Sequence, residues 1–407
     1  MFTITSIYFL MLFLIFWSYC GYIILLFALS TLSNNKNSKT LASSSLLKIA
    51  ILIPCYNEES LVEDKIKNLK ELTYGPDKFD IYFLDGLSTD NTRSIIASLI
   101  KDVKNYHLIE TGVRGKIKQL NYGLSIITND KVDIIVNTDM DTLLMPDVLS
   151  EIVKEFNSDN RVAVVGANIS PENCFSIEKH YWEDQNLLRI LESKVYTSSI
   201  VVAPCYSYRA NFLDRFPEDC VADDIFVAFK ANTEGYITKY VDSISGKELR
   251  STQNYEDFFR HKFRKANAYL IELFRFFYRL PYMTGWWKTI YLTKVLQVAV
   301  MPWILPYFIL SSISLSLSGW GLFQIVLFGF IFLLLSLSLT SFLMKRGRLR
   351  HLSISQSKKR NSLLPFILSN IILILAGLSY PFFRQDSSYE KIGISKDDKN
   401  INSNTSL

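Results

Sequence analysis

Two carboxylates separated by one residue, Asp139-Met140-Asp141, stand where an apolar run ends. That spacing lets both approach one hard divalent cation, Mg2+ or Mn2+, which can in turn hold a diphosphate. A second acidic pair, Asp223-Asp224, follows Ala222 in a polar stretch. Transfer of a group to a hydroxyl needs a base within hydrogen-bond reach of the attacking oxygen. A carboxylate near other negative charge gains the basicity for that role. The same pair would suit a helix N-terminus, where Asp is favourable in any chain, and the residues alone leave both readings open. Arg114-Gly115-Lys116 and Arg264 are cations that could meet the charge a departing diphosphate accumulates. A solvated surface position is the ordinary fate of any one of them.

The elements that must position these groups follow from the apolar pattern. Short apolar runs at 48–54, 79–84, 132–136, 162–166 and 236–241 read as strands, the first buried on both faces. Ser60 with Glu63 forms a capping-box pair, and Val62, Ile66 and Leu69 follow at helical spacing. Ser88-Thr89-Asp90-Asn91 opens a second helix carrying Ile95, Ile96, Leu99 and Ile100, and Ile117, Leu120 and Leu124 mark a third. Such alternation predicts an α/β fold with a mostly parallel sheet and helices on both faces. Ligands of such sheets bind beyond the carboxyl ends of the strands. Cys55-Tyr56-Asn57-Glu58, Asp85 and Asp139-Met140-Asp141 all fall there.

The rest of the chain is organised by charge. Residues 1–35, 295–344 and 361–383 carry none, and a membrane span needs ~20 apolar residues. These stretches predict one, two and one spans. Buried helices of a soluble protein would not run so long without charge. The first lacks the basic start of a cleaved signal peptide and reads as an anchor. Lys36, Lys39 and Lys48 follow it, and 345–360 is rich in Lys and Arg without an acid. Basic loops stay cytoplasmic, so residues 36–294 and 345–360 are expected inside. Such juxtamembrane clusters suit anionic lipid head groups rather than nucleic acid. Spans without ionisable residues argue against a transporter.

The predicted divisions are an anchor at 1–35, a cytosolic catalytic domain at 46–250 and an interfacial amphipathic helix region at 255–288. Three spans follow at 289–383, with the basic loop 345–360, then a polar tail at 384–407. The region from Tyr255 interleaves aromatics with Arg and Lys, as an interfacial helix does. Trp286 and Trp287 suit a head-group aromatic belt. The five cysteines are scattered, with no CxxC pair, as expected for reduced packed thiols.

From about Lys48 to Arg264 the chain resembles the family-2 glycosyltransferases of GT-A fold, specifically the membrane-bound group related to polysaccharide synthases. Ile53-Pro54-Cys55-Tyr56-Asn57-Glu58-Glu59 is similar to that family's opening strand and nucleotide loop. Asp85 with Ser88-Thr89-Asp90-Asn91-Thr92 resembles its second-strand motif. Arg114-Gly115-Lys116 with Leu120-Asn121 resembles the segment beside the diphosphate, and Asp139-Met140-Asp141 the metal motif. Asp223-Asp224 falls on the base segment. The resemblance implies that Pro54, Tyr56, Asn57, Glu58, Asp85, Arg114 and Lys116 bind a nucleotide-sugar, with uridine as the nucleotide and Asp85 at the uracil. It implies Mg2+ or Mn2+ at Asp139 and Asp141, Asp224 beside Asp223 as base, and Lys116 and Arg264 at the leaving nucleotide.

Two departures stand out. Asp85-Gly86-Leu87-Ser88 lacks the second Asp often found in the second-strand motif. His261-Lys262-Phe263-Arg264-Lys265 keeps the Arg of the processive Gln-x-x-Arg-Trp motif but neither its Gln nor its Trp. The expected activity is inverting sugar transfer, of hexosyltransferase type, to a lipid-linked or glycan acceptor at the plasma membrane of a prokaryote. The competing expectations are a processive synthase that extrudes its polymer and an inactive transferase-like scaffold subunit.

Overall fold

The computed structural model describes residues 2–33, 46–127, 132–172, 174, 176–252, 254–317, 329, 342–343 and 363–383. Its centre is a sheet of β1 (Ile49–Cys55), β2 (Phe79–Asp85), β3 (Tyr106–Glu110), β4 (Ile134–Thr138), β5 (Thr142–Leu144), β6 (Val162–Pro171), β7 (Cys205–Arg209) and β8 (Ile237–Glu248). The spatial order is β3-β2-β1-β4-β7-β6-β8-β5. The half β3-β2-β1-β4 is parallel throughout, with Cys55 opposite Asp85. Helices α3 (Val62–Lys70), α4 (Thr92–Ile100) and α5 (Lys116–Ile126) are the crossovers that parallel pairing demands.

The other half is mixed. Strand β7 runs antiparallel to both β4 and β6, and β5 antiparallel to β8, while β6 and β8 are parallel. The chain enters β7 at the site edge, where the Asp139 N–H donates to the Pro204 carbonyl, and so must run back against β4. Two apolar layers flank the sheet. Ile51, Ile53, Phe83 and Val136 pack on α3, α4 and α6 (Val148–Ser158), and Leu52, Leu84 and Ile135 on α5 and α8 (Asp223–Thr233).

The expected capping box does not form. Helix α3 starts at Val62 with Leu61 as its cap and no side-chain bond. The preceding loop closes first, the Leu61 N–H donating to the Glu58 carbonyl at 2.8 Å. Glu63 and Asp64 in the first turn still suit the positive helix end.

Outside the sheet, α1 (Phe2–Phe16) continues through a π-helical turn, Trp17–Gly21, into α2 (Tyr22–Ser33). Helix α10 (Gly285–Val295) likewise passes through such a turn into α11 (Met301–Leu317). Both continuous rods, Ser6–Leu32 and Gly285–Ile313, are long and apolar enough to cross a membrane. They pack on each other, with Tyr8 stacked on Phe308 at 5.1 Å and Trp17 Nε1 donating to Thr293 Oγ1 at 3.1 Å. The expected second span of 295–344 and the loop 345–360 lie almost wholly outside the described residues, and the tail 384–407 entirely so.

Helix α7 (Ser176–Val195) joins the two parts. Its fully buried Glu192 accepts from Tyr22 Oη at 2.8 Å and pairs with Lys294 Nζ at 2.9 Å. A span-bearing rod thus does contain an ionisable residue, satisfied by the α/β domain rather than by a transport path. Helix α9 (Tyr255–Phe277) packs Phe258, Ala266 and Leu270 against Ile372 and Ala376 of the helix Leu363–Ser379. Trp287 departs from the belt expectation: it is buried, and its Nε1 donates to Thr233 Oγ1 of α8 at 3.2 Å. Trp286 stays exposed.

Candidate active site

The carboxyl edge of β2, β1 and β4 gathers the expected residues. At the end of β1, Asn57 adopts φ 51°, the left-handed region that Asn tolerates. Its Oδ1 accepts the Thr89 N–H at 2.8 Å and its own N–H donates to Ser88 Oγ at 3.0 Å. The Glu58 N–H donates to Thr92 Oγ1 at 2.7 Å. Loops 56–59 and 88–92 are therefore laced together. Pro54 lies half-buried in β1 opposite Leu84. The Arg114 guanidinium covers the Tyr56 ring at 4.3 Å, a geometry that favours a cation over an aromatic face.

Asp85 ends β2 at 1% exposure. Its Oδ2 accepts the Ser88 N–H at 3.1 Å, and its Oδ1 has no hydrogen-bond partner among the described residues. A buried acceptor left so is costly and suits a donor group on a bound base. Gly86 beside it is required, because a Cβ there would lie 2.6 Å from Gln119 Nε2. Gln119 is fixed in turn, donating to the Cys55 and Leu84 carbonyls at 2.8 and 2.7 Å.

The metal motif and the acidic pair meet through one cation. Lys116 opens α5 after Gly115, whose φ is 115°. Its Nζ lies 2.8 Å from Asp139 Oδ1 and 3.4 Å from Asp223 Oδ2. Asp223 and Asp224 are the first residues of α8, so the helix-terminus reading holds, and at that terminus Lys116 brings Asp223 within reach of Asp139. Asp223 Oδ2 also accepts from Tyr206 Oη at 2.6 Å, and Tyr206 from Asn137 Nδ2 at 2.6 Å. Burial, then the negative Asp223, push the Asp224 carboxyl up to about 6 against the opposing charges of Lys116 and Lys265. That is a carboxylate tuned toward proton transfer near neutrality.

Arg264 sits half-buried on α9. Its neighbour Lys265 places a positive charge near Asp224 and lies 5.1 Å from the Trp182 ring. Sequence reasoning missed Lys265, and it missed three more residues. Arg250, just past β8, bridges Glu58 Oε2 at 2.6 Å and Asp141 Oδ2 at 3.0 Å. Buried Lys65 donates to the Asp139 carbonyl at 2.9 Å, and also to the Thr142 carbonyl and Thr138 Oγ1. Tyr206 holds Asp223. Lys65 carried a signal, since it falls in the apolar stripe of Val62, Ile66 and Leu69. Arg250 and Tyr206 carried none.

The donor set suits a hard divalent ion that arrives with its substrate. Among the described residues no three His, Cys, Asp or Glu converge into an all-protein cage. Mg2+-like ions bind through one or two carboxylates plus substrate phosphates. Asp139 and Asp141 could supply such a pair. Burial raises the Asp141 carboxyl, and Arg250 opposes the rise.

A mixed sheet with the 56–59 loop after β1, a buried Asp ending β2 and a carboxylate pair after β4 is built as in glycosyltransferases of the GT-A fold. Residues 134–345, about half of the chain, match the model of Glycosyl transferase family group 2, and residues 50–217 match that of Glycosyl transferase family 2. The chain belongs to glycosyl transferase family group 2. Among curated proteins it is similar to the poly-beta-1,6-N-acetyl-D-glucosamine synthase of Staphylococcus aureus, with 27% identity over 201 residues and 47% of each chain covered. An N-acetylglucosaminyltransferase of Rhizobium leguminosarum bv. viciae is 24% identical over 227 residues, covering 51% of this chain and 52% of the relative. The chain thus matches about half the length of these relatives. In structure it is similar to a mannosyltransferase from Pyrobaculum calidifontis in complex with GDP-Man and Mn2+, with TM-score 0.65 and 22% identity. That match covers 91% of this chain and 98% of the other and shows the shared fold.

Proposed function

We propose that this glycosyltransferase moves a hexose-type sugar, with inversion, from a nucleotide-sugar to a lipid-linked or glycan acceptor at the cytosolic face of a membrane. The observation that carries the reading is Lys116, which ties the metal motif to the acidic pair across 2.8 and 3.4 Å. In this reading Asp224 takes the proton of the acceptor hydroxyl as its oxygen attacks the anomeric carbon. The bond to the diphosphate breaks on the opposite face, and the diphosphate leaves with the electron pair. Lys116 meets that charge, with Arg114 and Arg264 further cations of the donor pocket. Pro54, Tyr56, Asn57 and Glu58 line the nucleotide side, and Asp85 orients a uracil through its unpartnered oxygen. A divalent ion held by Asp139 and Asp141 would neutralise diphosphate charge.

The rods Ser6–Leu32 and Gly285–Ile313 support membrane placement, with 1–35 an anchor, 46–250 the catalytic domain and 255–288 lying against the bilayer. Phe9, Leu10, Phe13, Tyr307 and Leu310 expose apolar surface on these rods, as lipid-facing side chains do. The remaining spans of 289–383 belong to the same proposal, as does the prokaryotic plasma membrane.

Nucleotide release by the purified protein from a panel of nucleotide-sugars, with and without Mn2+ and with membrane extract as acceptor, tests the reading. Release from none of them under every condition would favour the scaffold alternative. The names of the Staphylococcus aureus relatives favour a second version, repeated addition with extrusion. Product length with labelled donor separates the two.

A further inference from the structure

Arg250 lies where none of the expected donor or metal residues called for a cation. The Leu249 N–H donates to the Asp141 carbonyl at 2.8 Å, so the backbone fixes Arg250 beside the metal motif. Its guanidinium then reaches two carboxylates from distant parts of the chain, Glu58 of the β1 loop and Asp141. All three side chains are largely buried, Arg250 at 21%, Glu58 at 9% and Asp141 at 17% exposure. Contacts this short between charged groups are strong. A guanidinium and a divalent ion are alike in charge and would compete for the same Asp141 carboxylate.

We propose that Arg250 is a placeholder for the divalent ion: it holds Asp141 and Glu58 while the donor site is empty and yields Asp141 when ion and nucleotide diphosphate arrive together. The inference rests on the metal-dependent reading of the site and deepens it. Released from Asp141, Arg250 keeps Glu58 and gains the diphosphate as a new anionic partner within reach of the β1 loop. Without the diphosphate, the ion must displace a charged hydrogen bond and leave the guanidinium beside it. The ion alone therefore binds weakly, and ion and nucleotide raise each other's affinity by the same factor. The bridge holds the two carboxylates close to one guanidinium and ordered.

Mn2+ binding to the purified full-length protein, read from the EPR signal of the free ion with and without UDP or GDP, tests it. Wild type should bind Mn2+ on the order of tenfold more tightly with the matching nucleotide. Arg250→Gln should bind Mn2+ alone about tenfold more tightly than wild type and lose most of the nucleotide enhancement. Should that variant fail to fold, Arg250→Lys decides, because an ammonium lacks the fork whose separate nitrogens serve Asp141 and Glu58, and the variant should tighten Mn2+ binding several-fold. Unchanged or weaker Mn2+ binding in the folded variant, while wild type shows the enhancement, overturns the placeholder and leaves metal-dependent transfer standing. Wild type that binds no Mn2+ even with nucleotide removes both.

Discussion

Lys116 donates across 2.8 Å to Asp139, so the first carboxylate of the metal motif, at the end of β4, is held by the first residue of α5. The same ammonium reaches Asp223 at the head of α8. One side chain thereby ties Asp139 to Asp223, the neighbour of the residue assigned as base.

Replacing it should be felt in turnover. Lys116→Met should lower kcat by about 100- to 1,000-fold, the range seen when a preorganised transition-state donor is lost. Lys116→Arg should recover part of the loss. Steady-state rates with the best donor of the panel check this, and a Met variant within threefold of wild type would remove Lys116 from the leaving-group role.

Asp224→Asn should abolish transfer while the nucleotide still binds, as calorimetry can show. In the wild type, kcat/KM should rise with pH through about 6 and level off above, because the base works deprotonated. The stability sign runs the other way. A carboxyl whose folded pKa is raised binds its proton more tightly when folded, so its contribution is lost as pH rises from about 4 toward 6. Asp224→Asn should therefore be more stable than wild type by roughly 1–2 kcal/mol at neutral pH.

Lys65 clamps the metal loop from beneath. Lys65→Met would take the ammonium from the Thr142 carbonyl and leave the Asp139 carbonyl only its bond from the Thr142 N–H at 3.2 Å, at a cost of about 1–3 kcal/mol. A fall in denaturant midpoint should come with weaker Mn2+ binding in the presence of nucleotide. Loss of stability with metal affinity intact would confine Lys65 to a packing role.

Glu192→Gln should loosen the junction between the α/β domain and the two apolar rods, because it strands the Lys294 ammonium in a buried place. Breaking one partner of such a pair costs about 3–5 kcal/mol. Thermal unfolding in detergent reads the loss. Adding Lys294→Met should restore much of it; additive effects in that double-mutant cycle would show the pair to be uncoupled.

By itself the sequence determined three strands of the parallel half, β2, β1 and β4, the order of the helices between them and the edge where the carboxylates gather; β3, a partly exposed edge strand, left no apolar run to read. These rest on short-range rules: apolar runs make buried strands, helical crossovers force parallel pairing, and strand ends collect polar residues. It also determined the long uncharged stretches. Only the tertiary structure decided β7, because Cys205-Tyr206-Ser207-Tyr208-Arg209 is not an apolar run, and its Tyr206, Ser207 and Arg209 donate to Asp223 and to the Val165 and Val162 carbonyls. It alone brought Arg250 to Glu58, 192 positions away in the chain, buried Trp287 against α8, and brought the charge of Lys265 to bear on Asp224. Such pairings depend on where two distant backbones come to lie, and local spacing holds no record of that.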